Sequence, residues 1–246
     1  MGYQKDLDEL FWNTFNELME LSAFQNSTTI GFDLIEEKYQ AYFKSIEGKK
    51  GSRLEQMRYL ISGPHNLGDK QSTYLALINK SIIIYACSIF DYYLNQSLTL
   101  LFLIYPKVLA SEKKTVPYHQ FILNNKDDLL KSIIEKEIYE ISYKKIDERI
   151  KYLSHKFQLD FEYTEFEIAF FSHKINLNEL VEAYAIRNII IHNKSIVNKI
   201  FIENVTNSKY KIGDIITVDK GLVDRLTLTL LKSLTSIIKQ IEMRYL

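Results

Sequence analysis

Cysteine, proline, glycine and net charge are all scarce in this chain of 246 residues, which holds one Cys, three Pro and eight Gly. A single thiol excludes an intramolecular disulfide and suits a reducing compartment. Cys87 follows Ile82-Ile83-Ile84-Tyr85-Ala86, apolar company that makes it a buried structural thiol rather than a nucleophile. Few helix breakers favour helices. Lys and Arg together number 31, as do Asp and Glu, so no global field recruits nucleic acid and any such contact must come from a local basic patch. Gly-x-Gly-x-x-Gly and a nucleophile elbow are both absent, which argues against a dinucleotide fold and a Ser-His-Asp hydrolase. The Gly-Lys-Ser flavour of Gly48 to Ser52 lacks the strand and spacing of a phosphate loop. The five histidines are scattered, with no two at ligand spacing, so neither a metal nor another cofactor is expected.

What is present is ordinary for a globular protein, with 46% hydrophobic and 25% charged residues. The N-terminus carries Lys5 and Asp6 and no apolar core, so a signal peptide is not expected. The most apolar run, Ser81 to Tyr105, is interrupted by Asp91, Asn95 and Gln96, the mark of a core helix rather than a membrane span. A cytoplasmic protein without membrane contact is the expectation.

Helical spacing of Leu7, Leu10, Phe11, Phe15, Leu18 and Leu21 predicts a first helix over residues 3–22. A loop at Gln25 to Thr29, a second helix from Phe32 to Ile46 and a short one from Leu54 to Ile61 follow. Ser62 to Asp69 reads as a linker. It divides an N-terminal helical extension, residues 1–69, from a helical domain, residues 70–246. In that domain the pattern predicts a long helix from Gln71 to Tyr105 and a loop from Lys107 to Gln120. Two charged outer helices, Phe121–Lys136 and Glu137–His155, are followed by an acidic aromatic stretch, Phe157 to Phe171, that is either a short helix or an irregular cover. Asn176 is an N-cap with Glu179 as capping-box partner, opening a helix that runs to about Val197. Alternation in Ile200 to Glu203 and Tyr210 to Val218 predicts a β-hairpin. The last helix carries a stripe of Leu222, Leu226, Leu230, Leu234, Ile237, Ile238 and Ile241. The class is therefore all-α, an antiparallel bundle with a small β-hairpin between its last two helices.

One helix sets polar residues against its own apolar pattern: Ala185-Ile186-Arg187-Asn188-Ile189-Ile190-Ile191-His192-Asn193. Arg187 and His192 lie about 140° apart on an ideal helix, on neighbouring faces, while Asn188 and His192 share a face. Two other Arg–His pairs have similar spacing. Arg58 to His65 is broken by Gly63-Pro64, and Arg149 to His155 sits among Lys144, Lys145, Asp147 and Glu148, the setting of a solvated face. Only Arg187 to His192 combines an unbroken apolar spacer with an adjacent Asn.

That segment resembles the HEPN family, whose signature is an Arg, four to six residues and a His, often with Asn after the Arg. Phe90-Asp91-Tyr92-Tyr93-Leu94-Asn95 resembles the first core helix of such proteins. The resemblance covers roughly residues 71–246. It implies a helical bundle that dimerises across the motif, and a metal-independent RNase of a bacterial toxin or anti-phage defence system. It also implies that Asp91 orients Arg187; the alternative is a structural acid within the core. In some toxin relatives a Tyr two residues after the His is the target of an antitoxin. Here that position is Lys194, which puts this mode of control in doubt and, with Asn193, offers contacts to an RNA backbone.

The chemistry asks for little. Cleavage through the ribose hydroxyl needs a base for the 2′-OH proton, an acid for the departing 5′-oxygen and a cation on the phosphate. Histidine, with an ordinary pKa of about 6.5, serves as either acid or base. Arg187 bonds two phosphate oxygens at once and Asn188 positions phosphate or imidazole. One motif supplies one His, so acid and base together require a homodimer. Two readings stay open beside the nuclease: a non-catalytic module that binds nucleotide or a protein partner, and a His192 that is merely a satisfied core residue.

Overall fold

The computed structural model describes residues 2–46, 67–111, 125–161, 175–206 and 208–245. Among them the chain forms seven α-helices: α1 (Gly2–Ile46), α2 (Leu67–Ile104), α3 (Lys126–Ser142), α4 (Ile146–Phe157), α5 (Leu177–Asn193), α6 (Lys199–Asn204) and α7 (Lys220–Tyr245), with a 3-10 turn at Pro106–Ser111. The protein is all-α over these residues, and β pairing is limited to one isolated bridge.

Helix α2 is the centre, packing against α1, α3, α5 and α7. Its buried residues, among them Ile82, Ile83, Ala86, Phe90, Tyr93, Leu94 and Leu98, cover too much of its circumference for a surface helix. Ser72–Ile104 is long and apolar enough to cross a membrane by length and composition; here Ile82, Ile83, Phe90, Leu94 and Leu98 face the core, while Leu77, Tyr85 and Tyr92 are exposed. Helix α7 buries the whole predicted stripe from Leu222 to Ile241. Each of those leucines and isoleucines contributes roughly 1.5–3 kcal/mol by leaving water.

Helix α1 runs unbroken through the loop expected at Gln25 to Thr29. The buried positions Leu7, Thr14, Leu18 and Gln25 continue one seam across it. Gln25 donates to Asn79 Oδ1 (3.0 Å) and Asn79 donates to the Val218 carbonyl (3.0 Å), joining α1, α2 and the start of α7. Thr28 and Thr29 turn their hydroxyls back onto the carbonyls of Phe24 and Gln25 (2.8 and 2.9 Å), as threonines do inside a helix. Polar composition suggested a loop; interior partners made it a helix. Leu7 and Leu18 belong to the same core as α2 and α7.

The β-hairpin expectation is corrected. Residues 199–204 form α6, opened by Asn198, whose side chain accepts from Phe201 N–H (2.9 Å). Phe201 is buried within the helix, and Val205, buried at its C-cap, donates its N–H to the Phe201 carbonyl. The extended stretch after it pairs instead with residues 195–197. Val197 N–H donates to the Asp214 carbonyl (2.8 Å), Gly213 N–H to Val197 (2.9 Å) and Ile216 N–H to Ser195 (2.9 Å). Gly213 has φ 94°, which suits a residue without a Cβ at the turn.

Other boundaries move. The break between the charged helices falls at residues 143–145, not between Lys136 and Glu137. Helix α5 stops at Asn193, four residues short of Val197, because Lys194 and Ser195 take positive φ (50° and 66°) and Ser195 N–H caps the Ile189 carbonyl at 2.9 Å. Leu67 to Asp69, assigned to the linker, begin α2. The Gly48–Ser52 turn, the Leu54–Ile61 helix, Arg58–His65, residues 112–120 of the expected loop, residues 121–124 of the first charged helix and residues 162–171 of the acidic cover lie outside the described residues.

Candidate functional site

Asn176 caps α5 as predicted, its side chain accepting from Glu179 N–H (3.3 Å). The Glu179 carboxylate accepts from Thr229 Oγ1 (3.1 Å), which ties the helix to α7. A bidentate pair from Arg225 to Glu182 (2.7 and 3.0 Å) adds a second tie. The helix that carries the motif is thereby tied to α7 along one side.

On its other side lies an open groove of ≈ 600 Å3 between α4, α5, α6 and the α3–α4 turn. Asp91, Arg187 and Asn188 all line it. Arg187 is half-buried and donates from Nη1 to Asn188 Oδ1 (2.9 Å), while its Nε is buried without an acceptor among the described residues. His192 does not line this groove. It is exposed in the last turn of α5, one turn beyond Asn188 on the same face, with no hydrogen bond among the described residues. The core-histidine reading therefore fails on burial.

Asp91 lies against α5 but holds a different guanidinium from the expected one. Its carboxylate pairs with Arg149 of α4 and accepts from Tyr184 Oη of α5 (2.8 Å). Arg149 also donates to Asn95 Oδ1 (3.0 Å). Three helices thus meet at one acid, with side-chain exposure of 5% for Arg149 and 31% for Asp91. The expectation that the Arg149 segment is a solvated face is corrected. Ile146, Arg149, Ile150, Leu153 and Phe157 are buried together, a helical stripe in which Arg149 is the one charged member. That periodicity was the legible signal for Arg149; its charged neighbours masked it. Tyr184 had no comparable signal.

Cys87 and Tyr184 show what this enclosure does to titrating groups. Burial pushes the Cys87 thiol up to about 12, with Asp91 adding and the Arg187 charge opposing. The thiol is inert, as the sequence suggested, and Arg187 is near enough to be felt at α2. Burial and the Asp91 charge likewise drive the Tyr184 phenol well above its usual range, so it remains a donor.

Asn193 donates from Nδ2 to the Ile196 carbonyl (2.6 Å), a contact that shapes the turn after the helix. Lys194 occupies the left-handed cap with its side chain in solvent. Among the described residues no group of His, Cys, Asp and Glu is arranged to hold a metal ion. No family model matches the chain, and no curated protein or solved structure is significantly similar to it.

Proposed function

We propose that this protein is a metal-independent endoribonuclease of HEPN type, from a bacterial toxin or anti-phage defence system, working as a homodimer. The observation that carries the reading is the exposure of His192, on a helix whose opposite face is buried at Leu180, Ala183, Ile186 and Ile189, one turn from the groove-lining Arg187–Asn188 pair. His192 of one copy removes the 2′-OH proton as that oxygen attacks phosphorus. His192 of the other protonates the departing 5′-oxygen, leaving a 2′,3′-cyclic phosphate and a 5′-hydroxyl. Arg187 holds the crowded phosphate, and Asn188 keeps the guanidinium aimed into the groove. Asp91 acts at one remove, fixing α5 through Tyr184. Lys194 extends the positive charge beyond the motif. A restraining antitoxin or other defence-system partner belongs to the same reading.

The exposed isoleucines beside His192 supply a face for the second copy. Ile191 precedes it, Ile196 is bridged to Ile215, and Ile212 adjoins the turn that bonds Val197. Single exposed aliphatics are common, whereas a cluster around one helix end is the mark of an interface. Ile215, 70% exposed, is the best place to test it. Ile215→Asp should leave the melting temperature of the chain within a few degrees, yet convert dimer to monomer in sedimentation velocity and reduce cleavage in parallel. A dimer that survives this change together with Ile196→Asp removes the face from the reading.

The decisive experiment is incubation of purified protein with RNA in the presence and absence of EDTA, with analysis of the new ends. Chelator-insensitive cleavage producing 2′,3′-cyclic phosphate is expected. Intact RNA, or cleavage abolished by EDTA, sinks the proposal. A second reading, a non-catalytic nucleotide- or protein-binding module, is favoured by the groove's internal ion pairs, Arg149 with Asp91 and Lys151 with Asp147. Binding without cleavage selects it.

A further inference from the structure

We propose that the α3–α4 turn is the platform on which single-stranded RNA is received. One base stacks on Tyr143, and the adjoining phosphates lie on Lys144, Lys145 and Arg187. The choice of RNA over another single strand rests on the nuclease reading; the platform itself rests on two separate observations.

The first is aromatic. Tyr139 and Tyr143 are 63% and 74% exposed, the most exposed aromatic side chains among the described residues. They are not loose. Their rings meet edge to face with centroids 4.8 Å apart, and Tyr143 Oη donates to Tyr139 Oη (3.1 Å). A tyrosine already fixed against a neighbour loses little freedom when a base covers it. Tyr143 lines the same groove as Arg187 and Asn188.

The second is charge. Most ions around the groove cancel in pairs: Arg149 with Asp91, Lys151 with Asp147, Lys199 with Glu203. Lys144, Lys145 and Arg187 have no ion-pair partner among the described residues, and Glu148 is the acid left facing them. Lys145 donates to the neutral Asn204 side chain (2.8 Å), Lys144 lies over the Tyr152 ring (5.4 Å), and Arg187 keeps a buried Nε without an acceptor. A net-positive strip therefore borders an exposed aromatic pair in a chain of zero net charge. The ligand that matches both halves is a polyanion with accessible flat bases, which a single strand offers and a duplex hides. A protein partner would find its apolar footing at the isoleucine face instead.

The test is fluorescence anisotropy of a labelled 2′-O-methyl oligouridine, which has no free 2′-hydroxyl, on the full-length protein. Tyr143→Ala should weaken binding roughly 5- to 150-fold, the span of one base stacked on one ring, while Tyr143→Phe stays near wild type. Lys145→Ala should lower the salt slope by about 0.7, the value of one phosphate contact on a single strand. In Tyr143→Trp the added indole should be quenched by the oligonucleotide. The same strand annealed to its complement should bind more weakly. Equal affinity of Tyr143→Ala and wild type, or preference for the duplex, overturns the platform, as does a wild type that binds no strand. Tyr143-dependent binding by a protein that does not cleave RNA upholds the platform and removes the nuclease. Cleavage by a protein indifferent to Tyr143 does the reverse.

Discussion

His192→Ala should cut RNA more than about 10²–10⁴-fold more slowly than wild type, because that is the usual contribution of one general acid–base side chain and the change removes both the base and the acid of the dimer. The same change should scarcely alter the fold. His192 is exposed, makes no hydrogen bond among the described residues, and lies in the last helical turn. At most its positive form complements the helix dipole there, a term of roughly 0.3–1 kcal/mol. Rate and stability are therefore separable at this position, which a core residue would not allow. Single-turnover cleavage of a labelled RNA, beside thermal melts of the same preparations, measures both. Arg187→Lys is the companion variant. It keeps the charge but loses the fork that grips two oxygens, so it should recover only part of the rate lost in Arg187→Ala. An alanine at 192 that cleaves at the wild-type rate would leave the imidazole without a role.

The second large effect concerns the acid at the centre of three helices. Arg149→Ala removes the partner of Asp91 and the donor to Asn95, leaving the carboxylate with Tyr184. Breaking a fully buried ion pair from one side costs about 3–5 kcal/mol, and because Asp91 keeps partial solvent access we expect roughly 2–4 kcal/mol here. For a chain of this size that lowers Tm by roughly 5–15 °C. Removing both charges should be gentler: Arg149→Met with Asp91→Leu leaves no unpaired ion, so the double variant should melt above Arg149→Ala. Denaturant melts of Arg149→Met, Asp91→Leu and the double variant form the necessary cycle. A double variant no more stable than Arg149→Ala would mean that the pair contributes geometry and little energy. Because Tyr184 and Arg187 share α5, the Arg149→Ala protein should also bind RNA more weakly before it unfolds.

Several parts of this arrangement were legible in residue order. Apolar spacing marked α2 and α7, and Asn176 with Glu179 marked where α5 begins. Asn188 and His192 were seen to share a face because helix geometry is local. Where reading failed, the deciding contact was distant. Gln25 is helical because it reaches Asn79, and Asn79 reaches the Val218 carbonyl. Residues 200–203 looked like a strand because alternation over four residues cannot be told from a single helical turn. The Asn198 cap at one end and the Val205 N–H on the Phe201 carbonyl at the other settle it as helix.

Asp91 is the sharpest case. Its place on a central helix followed from pattern, but two guanidinium groups were available to it, Arg149 and Arg187. Residue order is blind to which of them the packing of α4 and α5 brings within reach.

By itself the sequence determined the helical class, the central and last helices, and a shared face for Asn188 and His192 with Arg187 beside it, since each follows from periodicity and local capping. Tertiary structure alone decided that Arg149 neutralises Asp91, that Arg187 keeps an edge unpartnered among the described residues in an open groove, and that His192 faces solvent. Those outcomes depend on which side chains meet across helices tens of residues apart, and on how much water each is left.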